Sequence, residues 1–133
     1  MNINFPATIT AGILYFAFAL AYYSPLFFGR LWLQNSSEND KRPLNSLTTK
    51  SMITGLFAAF FTAWGIACVL KMTDPASLIF ALRVILVVWT GIAISSVVLL
   101  GILEKRSLLL NVINGLFLLL GFSGMTVILY LWK

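Results

Sequence analysis

Hydroxyl, amide and charged side chains that could bind an ion or a small solute flank the ends of long apolar runs in this chain. These residues are Tyr22, Tyr23, Ser24, Arg30, Glu104, Arg106, Asn111 and Asn114. Such groups can replace the water around an ion, or they can hydrogen-bond to one another and hold helices together. The sequence leaves both roles open, a polar binding layer and a structural clasp.

The residues that the chain lacks disfavour most catalytic chemistries. There is no His, and the one Cys, Cys68, lies inside an apolar run, which predicts no haem ligand, no imidazole–zinc site and no disulfide within the chain. Ser24 has Tyr23 beside it but no His as a base, and Glu104 has no obvious metal partners, which disfavours a lipid-modifying enzyme. We therefore expect no cofactor, no metal and no enzymatic activity.

The placement of charges relative to the apolar runs limits the possible transport mechanisms. No carboxylate falls near the centre of any run, which excludes the alternating proton and cation binding of the small multidrug resistance family, because that mechanism needs a membrane-embedded Glu. Arg83 stands inside the third run, roughly 9 to 10 Å from its outer end. We expect its side chain to extend to the outer surface near Asp74 or the terminal carboxylate, and contact with an anion is the sharper alternative.

Four apolar runs must position these groups, at about residues 5–28, 51–70, 77–103 and 107–132. Each is long enough, at roughly 1.5 Å per residue, to cross a hydrocarbon layer of about 30 Å. With 60% hydrophobic and 10% charged residues, the composition also indicates a membrane protein. The runs do not alternate apolar with polar residues as barrel strands do. The sequence therefore predicts an all-α polytopic membrane protein, a single domain over residues 1–133 built as a bundle of four transmembrane helices.

The connections between the runs predict the orientation in the membrane. Basic residues concentrate in the loop at about 29–50 and in the link between the last two runs; they are Arg30, Lys41, Arg42, Lys50, Lys105 and Arg106. By the positive-inside rule both connections face the cytoplasm, so both termini are expected on the outer side. Because the net charge of +5 lies mostly at the ends of the runs, it reports topology and does not indicate nucleic-acid binding. Pro25 is expected to kink or end the first helix.

The stretch from Tyr22 to Trp32, YYSPLFFGRLW, resembles the signature of a bacterial membrane family catalogued as domain of unknown function 1761. Its members typically carry Trp-Tyr-Ser-Pro-Leu-Leu-Phe-Gly-Lys-x-Trp after the first helix. The link from Leu103 to Ser107 resembles a Phe-Glu-x-Arg-Ser element of that family, and Trp89-Thr90-Gly91 and Asn114-Gly115 resemble weaker ones. The chain departs from the pattern at Tyr22, where Trp is usual, and at Phe117, near a common Tyr.

The resemblance implies a four-helix protein of the bacterial cytoplasmic membrane and supplies no activity. It also implies that the residues matching its motifs belong to one arrangement; these are Ser24, Pro25, Gly29, Arg30, Glu104 and Asn114. Two functions are left open. The first is a membrane protein that oligomerises and binds or passes a small ion or solute through the polar layer near the cytoplasmic side. The second is a non-catalytic accessory subunit or scaffold of a larger membrane complex. The expected partners are the lipid bilayer and either further copies of the chain or other membrane subunits.

Overall fold

The computed structural model describes residues 3–23 and 49–132, which form four helices. They are α1 (Phe5–Tyr22), α2 (Thr49–Thr73), α3 (Leu78–Leu103) and α4 (Leu108–Leu131). Each is long and apolar enough to cross a membrane, and no strand is found in this part of the chain. The prediction of an all-α bundle of four transmembrane helices is confirmed. The expected kink at Pro25 lies outside the described residues.

Polar side chains cap the starts of three helices, where backbone amides lack acceptors within the helix. The Asn4 side chain accepts from the amide of Ala7, and Pro6 occupies the first turn of α1, where a missing N–H costs little. The Ser77 and Ser107 hydroxyls accept in the same way at the starts of α3 and α4. Such caps satisfy amides that the helix itself cannot satisfy and so fix where each helix begins.

The link between α3 and α4 is a tight turn that reverses the chain within a few residues. Lys105 adopts the left-handed conformation, with φ 55°, just after the helix ends. The Arg106 amide donates to the Gly101 carbonyl at 2.8 Å, and the Lys105 amide donates to Ile102 at 3.2 Å, which is the Schellman pattern of a helix end. This turn places α3 and α4 side by side and antiparallel.

Close packing of α1 against α2 and α4 forms the core of the bundle. Gly12 lets α1 approach α2 closely, since a Cβ there would lie 3.1 Å from the Phe60 Cα. Gly121 of α4 lies beneath the Tyr15 ring, which a Cβ would strike. The buried cluster between the helices includes Ala11, Ala63, Ile66, Leu70, Ala81, Ile85 and Met125. α3 buries the smallest share of its surface and packs mainly on α4.

A π-helical segment, Trp89–Ile94, interrupts α3 near its middle. The hydroxyl of Ser95, the residue that follows the segment, donates to the Thr90 carbonyl at 3.0 Å, which satisfies a backbone acceptor in the widened turn. Such segments accommodate an extra residue and often occur at functional sites. The sequence does not predict this segment.

The two ends of the bundle differ in the segments that they contain. The turn end contains the end of α1, the start of α2 and the turn between α3 and α4. The termini end contains the start of α1 and the end of α4, where the Asn4 side-chain amide donates to the Trp132 carbonyl at 2.7 Å.

Candidate functional site

Two tyrosines at the end of α1 hydrogen-bond to α4 near the turn end. The Tyr22 hydroxyl is buried and donates to the backbone carbonyl of Ile113 at 2.8 Å. The Tyr23 hydroxyl donates to Oδ1 of Asn114 at 2.6 Å. The sequence predicts that these tyrosines and Asn114 belong to one polar layer; in the structure Tyr23 bonds to Asn114, and Tyr22 bonds to the residue before it.

α3 contributes a third hydrogen bond to the same stretch of α4. The Trp89 indole N–H donates to the Gly115 carbonyl at 2.9 Å, and Trp89 is the first residue of the π-helical segment. Gly115 itself faces Ile94, and a Cβ there would collide with the Ile94 side chain. Residues 113–115 therefore accept hydrogen bonds from both neighbouring helices, and each of those donors is an aromatic side chain.

Phe117, one turn further along α4, lies against the aromatic side chains of α1. Its ring stacks on Tyr15 and Phe18, with centroids 5.2 and 5.6 Å apart, and it also contacts the rings of Tyr22 and Tyr23. Such pairs stabilise packing by about 0.5–1.5 kcal/mol beyond the area they bury. These ring contacts fix the positions of Tyr22 and Tyr23 and therefore of their hydroxyl groups.

Asn111, in the first turn of α4, has a buried side-chain oxygen without a donor among the described residues. The residue is only 6% exposed, and within residues 3–23 and 49–132 no donor bonds to its Oδ1. The amide packs on the α3 backbone at Gly101, where any Cβ would collide with it. Burying an amide oxygen without a donor costs about 1–3 kcal/mol, so this position requires an explanation.

Glu104 and Arg106 form an ion pair on the turn between α3 and α4. The Arg106 guanidinium lies 2.6 Å from the Glu104 carboxylate. The sequence predicts that a cation offsets the negative charge at the end of α3 and offers Arg30 or Arg106; the structure pairs Glu104 with Arg106. The side chains of Arg106 and Glu104 are 34% and 49% exposed, respectively, so the pair contributes little to stability.

Other polar residues lie apart from this layer or outside the described part of the chain. Ser24 and Arg30 belong to the latter group. Thr54 and Ser95, which by depth alone fall near the layer, donate to carbonyls of their own helices and bridge nothing. Arg83 lies on α3 toward the termini end, exposed, and no ion pair involves it among residues 3–23 and 49–132. In that same part of the chain no group of three or more metal-ligating side chains occurs.

Trp89 and Gly101 are the residues of this layer that the sequence analysis does not place there. Trp89 carries the one available signal, because an indole N–H inside an apolar run must find an acceptor in a membrane. Gly101 has no such signal, since its role is to leave room for the Asn111 amide. The layer as a whole is mostly satisfied by its own hydrogen bonds, with one buried acceptor left over.

Comparison with known proteins gives one match. A family model described as "Protein of unknown function (DUF1761)" matches residues 6–130. That range includes nearly all of the four helices and every residue of the polar layer. No curated protein and no solved structure matches the chain.

Proposed function

We propose, since this chain belongs to the DUF1761 family of proteins of unknown function, that its role follows from its own geometry. In this proposal the protein is a non-catalytic membrane protein that binds a small cation or hydrogen-bond donor in the polar layer at the turn end. Asn111 is the main ligand-binding residue. Asn114 and Tyr23 hold the neighbouring turn of α4 in place.

The observation that carries the proposal is the buried Oδ1 of Asn111, which no donor in the described part of the chain satisfies. An amide oxygen accepts hydrogen bonds and coordinates cations, so the missing partner must be a donor or a positive ion. Asn111 is the fourth residue of α4, so its Cα lies only about 5 Å along the axis from the helix start. In this proposal a small solute reaches it from the water at the turn end without crossing the bilayer.

The test is a comparison of solute-dependent stability in the purified protein. Unfolding midpoints are measured in Na⁺, K⁺, NH₄⁺, guanidinium and urea, each against a matched choline or sucrose reference. We expect at least one solute to raise the midpoint of the wild-type protein and of Val112→Ala, a control at the adjacent, exposed position. The same solute should have no effect on Asn111→Ala. If every solute shifts Asn111→Ala as much as the wild type, the binding proposal is wrong.

Passage across the membrane is a separate question that the same variants address. Wild-type protein in liposomes is assayed for flux of the solute that raised its midpoint. Flux that Asn111→Ala abolishes and Val112→Ala retains supports a permeation role. Binding without flux limits the proposal to a binding protein.

A scaffold or accessory subunit is the second candidate, and the hydrogen bonds of the layer favour it. Tyr22, Tyr23 and Trp89 all donate to α4, as expected of groups whose role is to hold helices together. On this alternative no solute shifts the midpoint, and a second membrane protein co-purifies in stoichiometric amount. Tyr22→Phe should then lower stability while leaving every solute response unchanged.

A further inference from the structure

An apolar groove runs between α3 and α4 toward the termini end, on the side of the bundle away from α1 and α2. Its volume is about 470 Å³, and its lining includes Leu82, Leu86, Ser123, Gly124 and Arg83. α3, which forms one wall, is the helix with the least buried surface. The groove is therefore apolar along its length and carries one formal positive charge.

The Arg83 charge has no acidic partner in the part of the chain that the structure describes. The ion pair found there joins Glu104 and Arg106 at the opposite end of the bundle, and Asp74 does not pair with Arg83. Arg83 is the sixth residue of α3, so its Cα lies roughly 7.5 Å along the axis from Leu78. At that depth a guanidinium can extend to the level of the lipid headgroups while its stem stays in hydrocarbon.

We infer that this groove binds one anionic phospholipid, with the phosphate on the Arg83 guanidinium and an acyl chain between α3 and α4. Arginine binds phosphate through two parallel N–H donors, and an uncompensated arginine at headgroup depth calls for an anion at that depth. The apolar walls formed by Leu82 and Leu86 suit a hydrocarbon chain. The occupant is thus fixed by its two parts, an anionic head and an apolar tail.

A second copy of the chain fits the groove less well than a lipid does. The acidic residues of the sequence are Glu38, Asp40, Asp74 and Glu104, and all of them lie outside the apolar runs. At the headgroup level that the guanidinium reaches, a second copy packed alongside would bring Asp74 together with Lys71 and its own Arg83, and therefore no net negative charge. Lipid phosphates, in contrast, lie in the plane that the arginine side chain reaches and carry a negative charge there.

Gly124 allows the groove to be filled without disturbing the bundle. A Cβ at Gly124 meets no atom within 4 Å, so Gly124→Leu should extend into the groove without a clash. Gly65 of α2 is equally open and lies outside the groove, which makes Gly65→Leu a matched control. For the charge, Arg83→Gln is compared with Lys71→Gln, which removes the same charge at the same end of the bundle.

The test measures lipids retained by the protein in native mass spectrometry. Protein in detergent is given equal amounts of phosphatidylglycerol and phosphatidylcholine with identical acyl chains. We expect the wild type to retain phosphatidylglycerol about tenfold over phosphatidylcholine, which corresponds to about 1.4 kcal/mol. Both lipids carry a phosphate, but the choline cation of phosphatidylcholine cancels the negative charge of its headgroup and repels the Arg83 guanidinium. Arg83→Gln should lose this preference and Arg83→Lys should keep part of it. Gly124→Leu should lose retention of both lipids, and both control variants should behave as wild type.

Three outcomes would overturn the inference. The first is an unchanged phosphatidylglycerol preference in Arg83→Gln. The second is that glycerol 3-phosphate, which has no acyl chains, is retained as well as phosphatidylglycerol, and that Gly124→Leu does not change this retention. The site would then bind free phosphate. The third is a loss of dimer in Gly124→Leu with lipid retention intact, which would assign the groove to a second copy. Circular dichroism is used to check that each variant is folded. If Gly124→Leu does not fold, Gly124→Val is used instead.

Discussion

Replacing Asn111 or Asn114 by alanine should change stability in opposite directions, although the two residues are one helical turn apart. Asn111→Ala removes a buried oxygen that no donor within residues 3–23 and 49–132 satisfies, and Asn114→Ala removes the acceptor of the Tyr23 hydroxyl at 2.6 Å. Both substitutions gain the same helix propensity, so that contribution cancels when the two variants are compared. The two variants differ in whether the amide oxygen that they remove accepts a hydrogen bond.

The magnitudes follow from the two environments. Removing the desolvated oxygen of Asn111 should raise the free energy of unfolding by about 2 kcal/mol, and losing the packing contacts of the amide should lower it by about 1 kcal/mol. The net increase is about 1 kcal/mol. Losing the Tyr23–Asn114 hydrogen bond should cost about 1 kcal/mol, in line with hydrogen bonds between membrane helices. The free energies of unfolding of the two variants should therefore differ by about 2 kcal/mol.

The assay is reversible unfolding by SDS in mixed micelles, followed by far-UV circular dichroism, in a buffer that contains choline as the only added cation. Leu116→Ala on the exposed face of α4 is the control for a substitution that changes no polar contact. If Asn111→Ala were destabilised by as much as Asn114→Ala, the Asn111 oxygen would have to possess a donor, and the reasoning behind the binding proposal would be refuted.

Three further predictions concern the turn and α3. Lys105→Gly should raise the free energy of unfolding by about 0.5–1 kcal/mol in the same assay, because glycine relieves the left-handed φ of 55°; no gain would contradict strain at that residue. Gly101→Ala should lower the free energy of unfolding by about 1 kcal/mol or more, because the new methyl group collides with the buried Asn111 amide, whereas Gly65→Ala, in open space, should not lower it. Equal effects of the two substitutions would refute the contact between Gly101 and Asn111. Trp89→Phe should lower the free energy of unfolding by about 1 kcal/mol, and the fluorescence that this substitution removes should come from an indole shielded from aqueous quenchers. Unchanged stability would count against the hydrogen bond to Gly115.

The four helices could be predicted from sequence because lipid permits few alternatives. A run of twenty or more apolar residues must satisfy its backbone internally, and a helix does so. Counting about 1.5 Å per residue from the cytoplasmic ends of the helices also puts Tyr22, Tyr23 and Asn114 at similar depths, because antiparallel helices of similar length align their ends. Those parts of the site follow from length and periodicity, which the sequence contains directly.

The parts that could not be predicted depend on rotation about the helix axes and on contacts between backbones. No pattern in the sequence distinguishes a π-helical turn at Trp89–Ile94 from regular α-helix. The hydrogen bond from Trp89 to Gly115 could therefore not be predicted. Gly101 resembles any other glycine of an apolar helix until α4 is packed on it. The acceptor left unsatisfied on Asn111 is visible only once every neighbouring donor has been assigned.

The π-helical segment also corrects the phase of α3. In a regular α-helix each residue turns by about 100°, so the 16 residues from Ile85 to Gly101 would turn the chain by about 1600°, which leaves the two residues about 160° apart and nearly on opposite sides. If the widened turn absorbs one residue, the effective step is 15 residues and the separation falls to about 60°. Ile85 in the core and Gly101 at the Asn111 amide can then both face the rest of the bundle. Deleting one residue from this segment should therefore swing the final turns of α3 outward and leave the start of α4 without the surface on which it rests.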